Sequence, residues 1–163
     1  MNQEEGRNRR QNLFVKSIVT GIAGAFLWGI IGSIAYLFSF SQVSHATFTL
    51  RSFFSGSWTE GLTGELISLV IISILGIIPA LIYYFLFKKF ARVIHGVIYG
   101  LVWWVLLFVL LNPWFSYVPA FDQLSRDTLA ATICLFALYG VFVSYTIAFD
   151  ANDERITFQD QGN

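Results

Sequence analysis

Long apolar runs alternate with short polar stretches along this chain. Four of the runs, at about 13–40, 62–87, 91–111 and 128–149, are long enough to cross hydrocarbon as helices, which takes about 20 residues. A bilayer offers no water to backbone N–H and C=O groups, so each run must be helical. The pattern predicts an all-α fold, a four-helix transmembrane bundle over 13–149, with a basic segment at 1–12 and an acidic tail at 150–163. Basic residues before the first run and Ser44, His45 and Ala46 after it would also suit a cleaved signal peptide. The run far exceeds the usual 7–15 residues of a signal core, so it is read as an uncleaved anchor.

The placement of Lys and Arg sets an orientation. Arg7, Arg9, Arg10 and Lys16 precede or begin the first span, and Lys88, Lys89 and Arg92 crowd the turn between the second and third. The 41–61 connection has only Arg51, the 112–126 connection only Arg126 and the tail only Arg155. Basic residues stay on the cytoplasmic side, so both the amino and the carboxyl terminus are expected there and the 41–61 and 112–126 connections outside. The chain ends in the acidic residues Asp150, Asp153, Glu154 and Asp160.

Signals at the ends of the runs fit that map. Ser57 with Glu60 has the spacing of a capping box, and Ser125 with Asp127 reads as a second helix start. Trp58, Trp114, Tyr117 and Phe121 suit an outer aromatic belt, and Tyr83, Tyr84 and Phe90 an inner one. The 41–61 connection, rich in Ser and Thr with Phe48, Phe53 and Phe54 between them, is expected to lie along the outer headgroups.

Composition narrows the function classes. Of 163 residues 56% are hydrophobic and 12% charged, half the charged share of a soluble domain, about 25%. The net charge of zero gives no case for a nucleic-acid partner. The single cysteine, Cys134, has no disulfide mate in the chain and reads as a small packing residue. No HExxH, phosphate-loop or GxSxG pattern occurs, so no catalytic, cofactor-binding or metal residues are assigned.

Helices in lipid associate through small residues that let backbones approach. The first span carries Ser17, Gly21, Ala25, Gly29 and Ser33 at every fourth position, the third Gly96 and Gly100, and the fourth Gly140, Ser144 and Ala148. The second has Gly76 and Ala80 beside Pro79, a candidate kink. Two uses are open for the groove on the first span: packing within the bundle, or pairing with a second copy or another membrane protein. The first and third spans also share a Gly, a small residue four on and a Trp three further, a hint of duplicated hairpins.

Glu65 and His95 are the polar candidates. Glu65 is either an interfacial structural acid or a proton- or cation-responsive carboxylate with Ser68 one turn on. His95, aligned with Tyr99 and Trp103, is either an interhelical hydrogen-bonding group or a proton sensor. His45 has no acidic or histidine companion near it in sequence, and that spacing supplies no metal ligands. Trp28, Trp103 and Trp104 fall near mid-depth, as core filling or the lining of a small pocket.

Lys88-Lys89-Phe90, the run from His95 through Trp104 and the Asn112-Pro113 turn resemble the YqhR family of small multi-pass membrane proteins of Bacillus and its relatives, over nearly the whole chain. The resemblance implies a bacterial plasma-membrane location and carries over no catalytic residue. The resulting expectation is a non-enzymatic protein that binds the lipid bilayer and either itself or another membrane protein. A small channel or transporter subunit using Glu65 or His95 is the alternative, and an intramembrane enzyme the third.

Overall fold

A computed structural model describes residues 3–54, 56, 59, 61–87, 92–115, 118–119 and 121–160, with 3–10, 121 and 152–160 described as backbone. The Ser57–Glu60 cap and the belt residues Trp58, Tyr117 and Phe90 lie outside the described residues, as do Lys88 and Lys89. The helices are α1 (Gln3–Leu37), α2 (Leu62–Leu75), α3 (Ile77–Phe87), α4 (Val93–Val105) and α5 (Arg126–Asp160), with no strand among the described residues. Four stretches are long and apolar enough to cross a membrane: Gln11–Leu37, Leu62–Phe87, Val93–Leu110 and Arg126–Ala151.

The second stretch is α2 and α3 joined end to end across Gly76. Pro79 has no N–H to give the carbonyl of Leu75, four residues back, so the helix loosens there. Two tyrosines use the loosened backbone: Tyr139 donates to the Gly76 carbonyl at 3.0 Å and Tyr99 to the Pro79 carbonyl. α4 runs on into a wider π-helical turn, Leu106–Leu110, then a short turn in which Asn112 Nδ2 donates to the Pro119 carbonyl at 3.0 Å. Ser125 starts α5, its Oγ accepting from the Thr128 N–H at 3.2 Å. Just past the end of α1, Ser39 has a φ of 62°, in the left-handed region, and its successor Phe40 donates to the Ala35 carbonyl at 2.9 Å.

Two glycine-rich surfaces order the bundle. α1 is the middle helix, packed on α2 and α3 on one side and on α5 on the other, while α4 packs chiefly on α5. A Cβ at Gly21 would sit 2.6 Å from the Gly76 carbonyl oxygen, so α1 and the α2–α3 junction meet backbone to backbone. Gly24, one turn round the helix, faces Tyr139 and Phe142 of α5. A Cβ at Gly140 would lie 2.6 Å from the Gly100 nitrogen, and one at Gly96 2.7 Å from the Val141 Cα, so α4 and α5 are equally close. The Lys16 ammonium joins α1 to α5 through Asp150 at 3.2 Å.

The described aromatic and sulfur residues differ from expectation in three places. Tyr83 and Tyr84 are buried in the core with Tyr99 and Tyr139 rather than belting the surface, because their rings fill the space beside the broken helix. Cys134 is exposed on α5 rather than packed. The 41–54 connection does not lie flat: Val43, Ala46 and Leu50 are buried, and Phe48 meets Phe108 and Phe115 edge-on at 5.0 and 5.2 Å. It folds in because its apolar residues have the ends of α4 and α5 to bury against, which a bare headgroup layer does not provide.

Candidate functional site

The folded connection brings together a polar cluster at the end of the bundle where α2 begins. Its local form follows from its hydroxyl residues. Ser44 Oγ accepts from the Ala46 N–H at 3.2 Å, and Thr47 Oγ1 accepts from the Ser44 N–H at 3.1 Å, on the approach to the turn Thr47–Arg51. Thr49 Oγ1 donates back to the His45 carbonyl at 2.9 Å and Ser52 Oγ to the Thr47 carbonyl at 2.7 Å. Hydroxyls that compete with regular helix thus satisfy a turn too short to satisfy itself.

Glu65, in the first turn of α2, is buried at 6% exposure. A carboxylate in such a place must be paired and hydrogen-bonded. Ser44 Oγ donates to Oε1 at 2.7 Å, Arg51 Nη2 to the same oxygen at 3.2 Å, and Ser33 Oγ of α1 to Oε2 at 3.3 Å. Arg51 is itself held by the Thr59 carbonyl at 3.1 Å and the Tyr36 hydroxyl at 2.9 Å, with its guanidinium carbon 5.2 Å from the centre of the Tyr36 ring. Gly64 lets this happen, since a Cβ there would come 2.9 Å from the Thr59 Cα.

His45 completes the cluster. Its Nε2 stands 3.7 Å from Glu65 Oε2 and 3.2 Å from the Glu65 backbone carbonyl. A carbonyl only accepts, so the neutral ring carries its proton on Nε2 and leaves Nδ1 facing Ser33 Oγ at 3.4 Å. Burial pulls the imidazole below its ordinary pKa of 6.5 and the Arg51 charge adds to this, against the raising effect of the Glu65 carbonyl and carboxylate. A charged and hydrogen-bonded knot of this kind can fasten the connection to α1 and α2 and can respond to a proton. Among the described residues no three His, Cys, Asp or Glu groups are placed to hold a metal ion.

The sequence candidates fall in separate places. Glu65 is in the knot, but Ser68 gives its hydroxyl to the Glu65 carbonyl at 2.9 Å rather than to the carboxylate. His95 is half-buried at the start of α4, the opposite end of the bundle, so the two share no site. Ser17, Gly21 and Ala25 are buried and Gly29 and Ser33 half-buried; Gly29 faces Leu69 of α2 and Ser33 belongs to the knot. Gly96, Gly100, Gly140 and Ser144 lie in the α4–α5 contact. Trp104 is buried, its Nε1 donating to Thr132 Oγ1 at 3.0 Å, while Trp28 and Trp103 pack partly buried against the tyrosine core. Sequence reasoning missed Arg51, Ser44 and Tyr36 and set His45 aside. The available signal was Arg51, the single Lys or Arg of the aromatic 41–61 connection, which needs an anion as soon as that connection folds inward.

The model of a family described as the conserved membrane protein YqhR matches residues 1–162 of this chain. An uncharacterized protein YqhR of Bacillus subtilis (strain 168) is 37% identical over 155 residues, covering 93% of this chain and 86% of the relative. No solved structure matches. The chain belongs to the YqhR family of membrane proteins.

Proposed function

We propose that this member of the YqhR family works without catalysis, as a plasma-membrane subunit that binds another membrane protein or a second copy of itself. The observation that carries the reading is the tethering of the Glu65 carboxylate, whose two oxygens take hydrogen bonds from Ser44, Arg51 and Ser33. A carboxylate buried and tied to an arginine and to hydroxyls of two segments fastens those segments together. The fastening holds the connection as a shaped cap, on the outer side by the distribution of Lys and Arg. The face of α1 turned away from the bundle, with Val15, Val19, Ile22 and Phe26 exposed, is where a partner helix would lie. Capture of the tagged chain in a native detergent, followed by mass spectrometry, tests this. A membrane protein recovered at fixed ratio, or a dimer, is expected; recovery of monomer alone overturns it.

The proximity of the His45 imidazole to the Glu65 carboxylate favours a second reading, a small channel or transporter subunit with Glu65 as its responsive acid. Proton or cation flux in liposomes, abolished by Glu65→Gln, would support that reading in place of the first.

A further inference from the structure

The 41–51 segment lies below the helix ends it joins. Ser33 is four residues inside the end of α1 at Leu37, and Glu65 three residues inside the start of α2 at Leu62. Both bond to this segment, so it dips by about one helical turn, roughly 5 Å. It has two kinds of neighbour. Toward α1 and α2 it presents Ser44, His45 and Arg51 to Ser33, Tyr36 and Glu65. Toward α4 and α5 it presents Val43 and Phe48 to Phe108, Val118 and Leu124, and Gln42, whose N–H donates to Thr128 Oγ1 at 2.8 Å and whose Oε1 accepts from the Ser125 N–H at 3.0 Å. It is polar toward α1 and α2 and, apart from Gln42, apolar toward the other side.

We propose that the 41–51 segment is an acid-released plug, freed from the bundle when the knot around Glu65 takes up a proton at His45. The charges facing His45 in the knot are few. Among the described residues α2 brings one anion, Glu65; the segment itself brings one cation, Arg51; α1 brings the neutral groups Ser33 and Tyr36. The α4 and α5 side brings apolar side chains and, at Gln42, the uncharged Thr128 hydroxyl and Ser125 N–H. With a neutral imidazole the buried charges balance. With an imidazolium two cations share one carboxylate, and among the described residues no second anion faces them to compensate the buried excess. A released segment carries its imidazole in water, where it titrates near 6.5. Protons therefore bind the released form more strongly and draw the equilibrium toward it. The lowering of His45 by burial has the same sign. Release uncovers Glu65 and Ser68 and the space between α2 and α4.

The test reads access to the buried side of the plug. In a Cys134→Ser background, Val43→Cys places a thiol at a position only 4% exposed, and Phe53→Cys a control thiol at one 67% exposed. The ratio of their labelling rates by a charged, membrane-impermeant reagent cancels the effect of pH on thiol chemistry. Between pH 7.5 and 5.5 that ratio is expected to rise several-fold, with a ceiling of about tenfold set by one free imidazole, and to stay flat once His45→Gln is added. A flat ratio with His45 present, or an equal rise with His45→Gln, overturns the proposal. Hydrogen exchange on the unsubstituted protein gives a second reading. After correction for intrinsic pH dependence, protection of residues 43–51 must fall relative to α2 on acidification; constant protection overturns the proposal however the variants fold.

Discussion

The Glu65–Arg51 pair illustrates how a buried ion pair differs from its parts. Glu65→Ala leaves the Arg51 guanidinium, only 11% exposed, without its anion at the edge of hydrocarbon. Removing one partner of a buried pair costs about 3–5 kcal/mol. The double change Glu65→Gln with Arg51→Met removes both charges and is expected to cost clearly less than Glu65→Ala alone, because no charge is stranded. Thermal unfolding in detergent for the two variants and the parent checks the order; equal losses would mean the pair is not coupled. At the same scale, the pKa of His45 is lowered in the folded protein. Its contribution to stability is therefore complete above 6.5 and is lost as pH falls from 6.5 through the folded value. The melting temperature is expected to drop between pH 7 and pH 5, and His45→Gln to flatten that drop.

Among the elements, the glycines separate by what their missing side chains would strike. A Cβ at Gly100 meets the backbone of Phe136 and one at Gly32 comes only within 3.7 Å of the Leu135 Cδ1. Gly100→Ala is expected to destabilise by about 3 kcal/mol, since backbone cannot step aside, whereas Gly32→Ala changes stability by less than about 1 kcal/mol. Chemical denaturation of the two variants distinguishes them. Ser39→Gly relieves a left-handed residue and is expected to gain about 1 kcal/mol, by the same measurement. The spans themselves were legible because run length in lipid dictates helix directly. The break at Gly76 was legible through Pro79, and the start of α5 through Ser125. The inward fold of the 41–54 connection was not, because local hydroxyl and aromatic content fits a surface segment as well as a buried one. What decides between them is whether distant helices leave a gap, here between Glu65 and Phe108. For the same reason His45, twenty residues before Glu65 in sequence, gave no local sign of its partner.

At the scale of the whole molecule, four helices are long and apolar enough to cross a membrane, and four crossings would put the two termini on one side whatever the sign of the orientation. From the Lys and Arg distribution we propose that this side is the cytoplasmic one. Green fluorescent protein fused to either end is expected to fluoresce in bacterial cells, and alkaline phosphatase inserted in the 41–61 connection to be active; the reverse pattern would invert the topology.

The central place of α1 has a consequence for how the molecule is made. Its Gly21 face meets the next two helices to leave the ribosome, but its Gly24 face waits for Tyr139 and Phe142 of the last. α4 likewise has its glycine contacts with α5, so two unfinished surfaces stay open to lipid until the final span enters. A nascent chain stalled before residue 126 therefore presents both surfaces at once to any membrane protease that surveys incomplete helices.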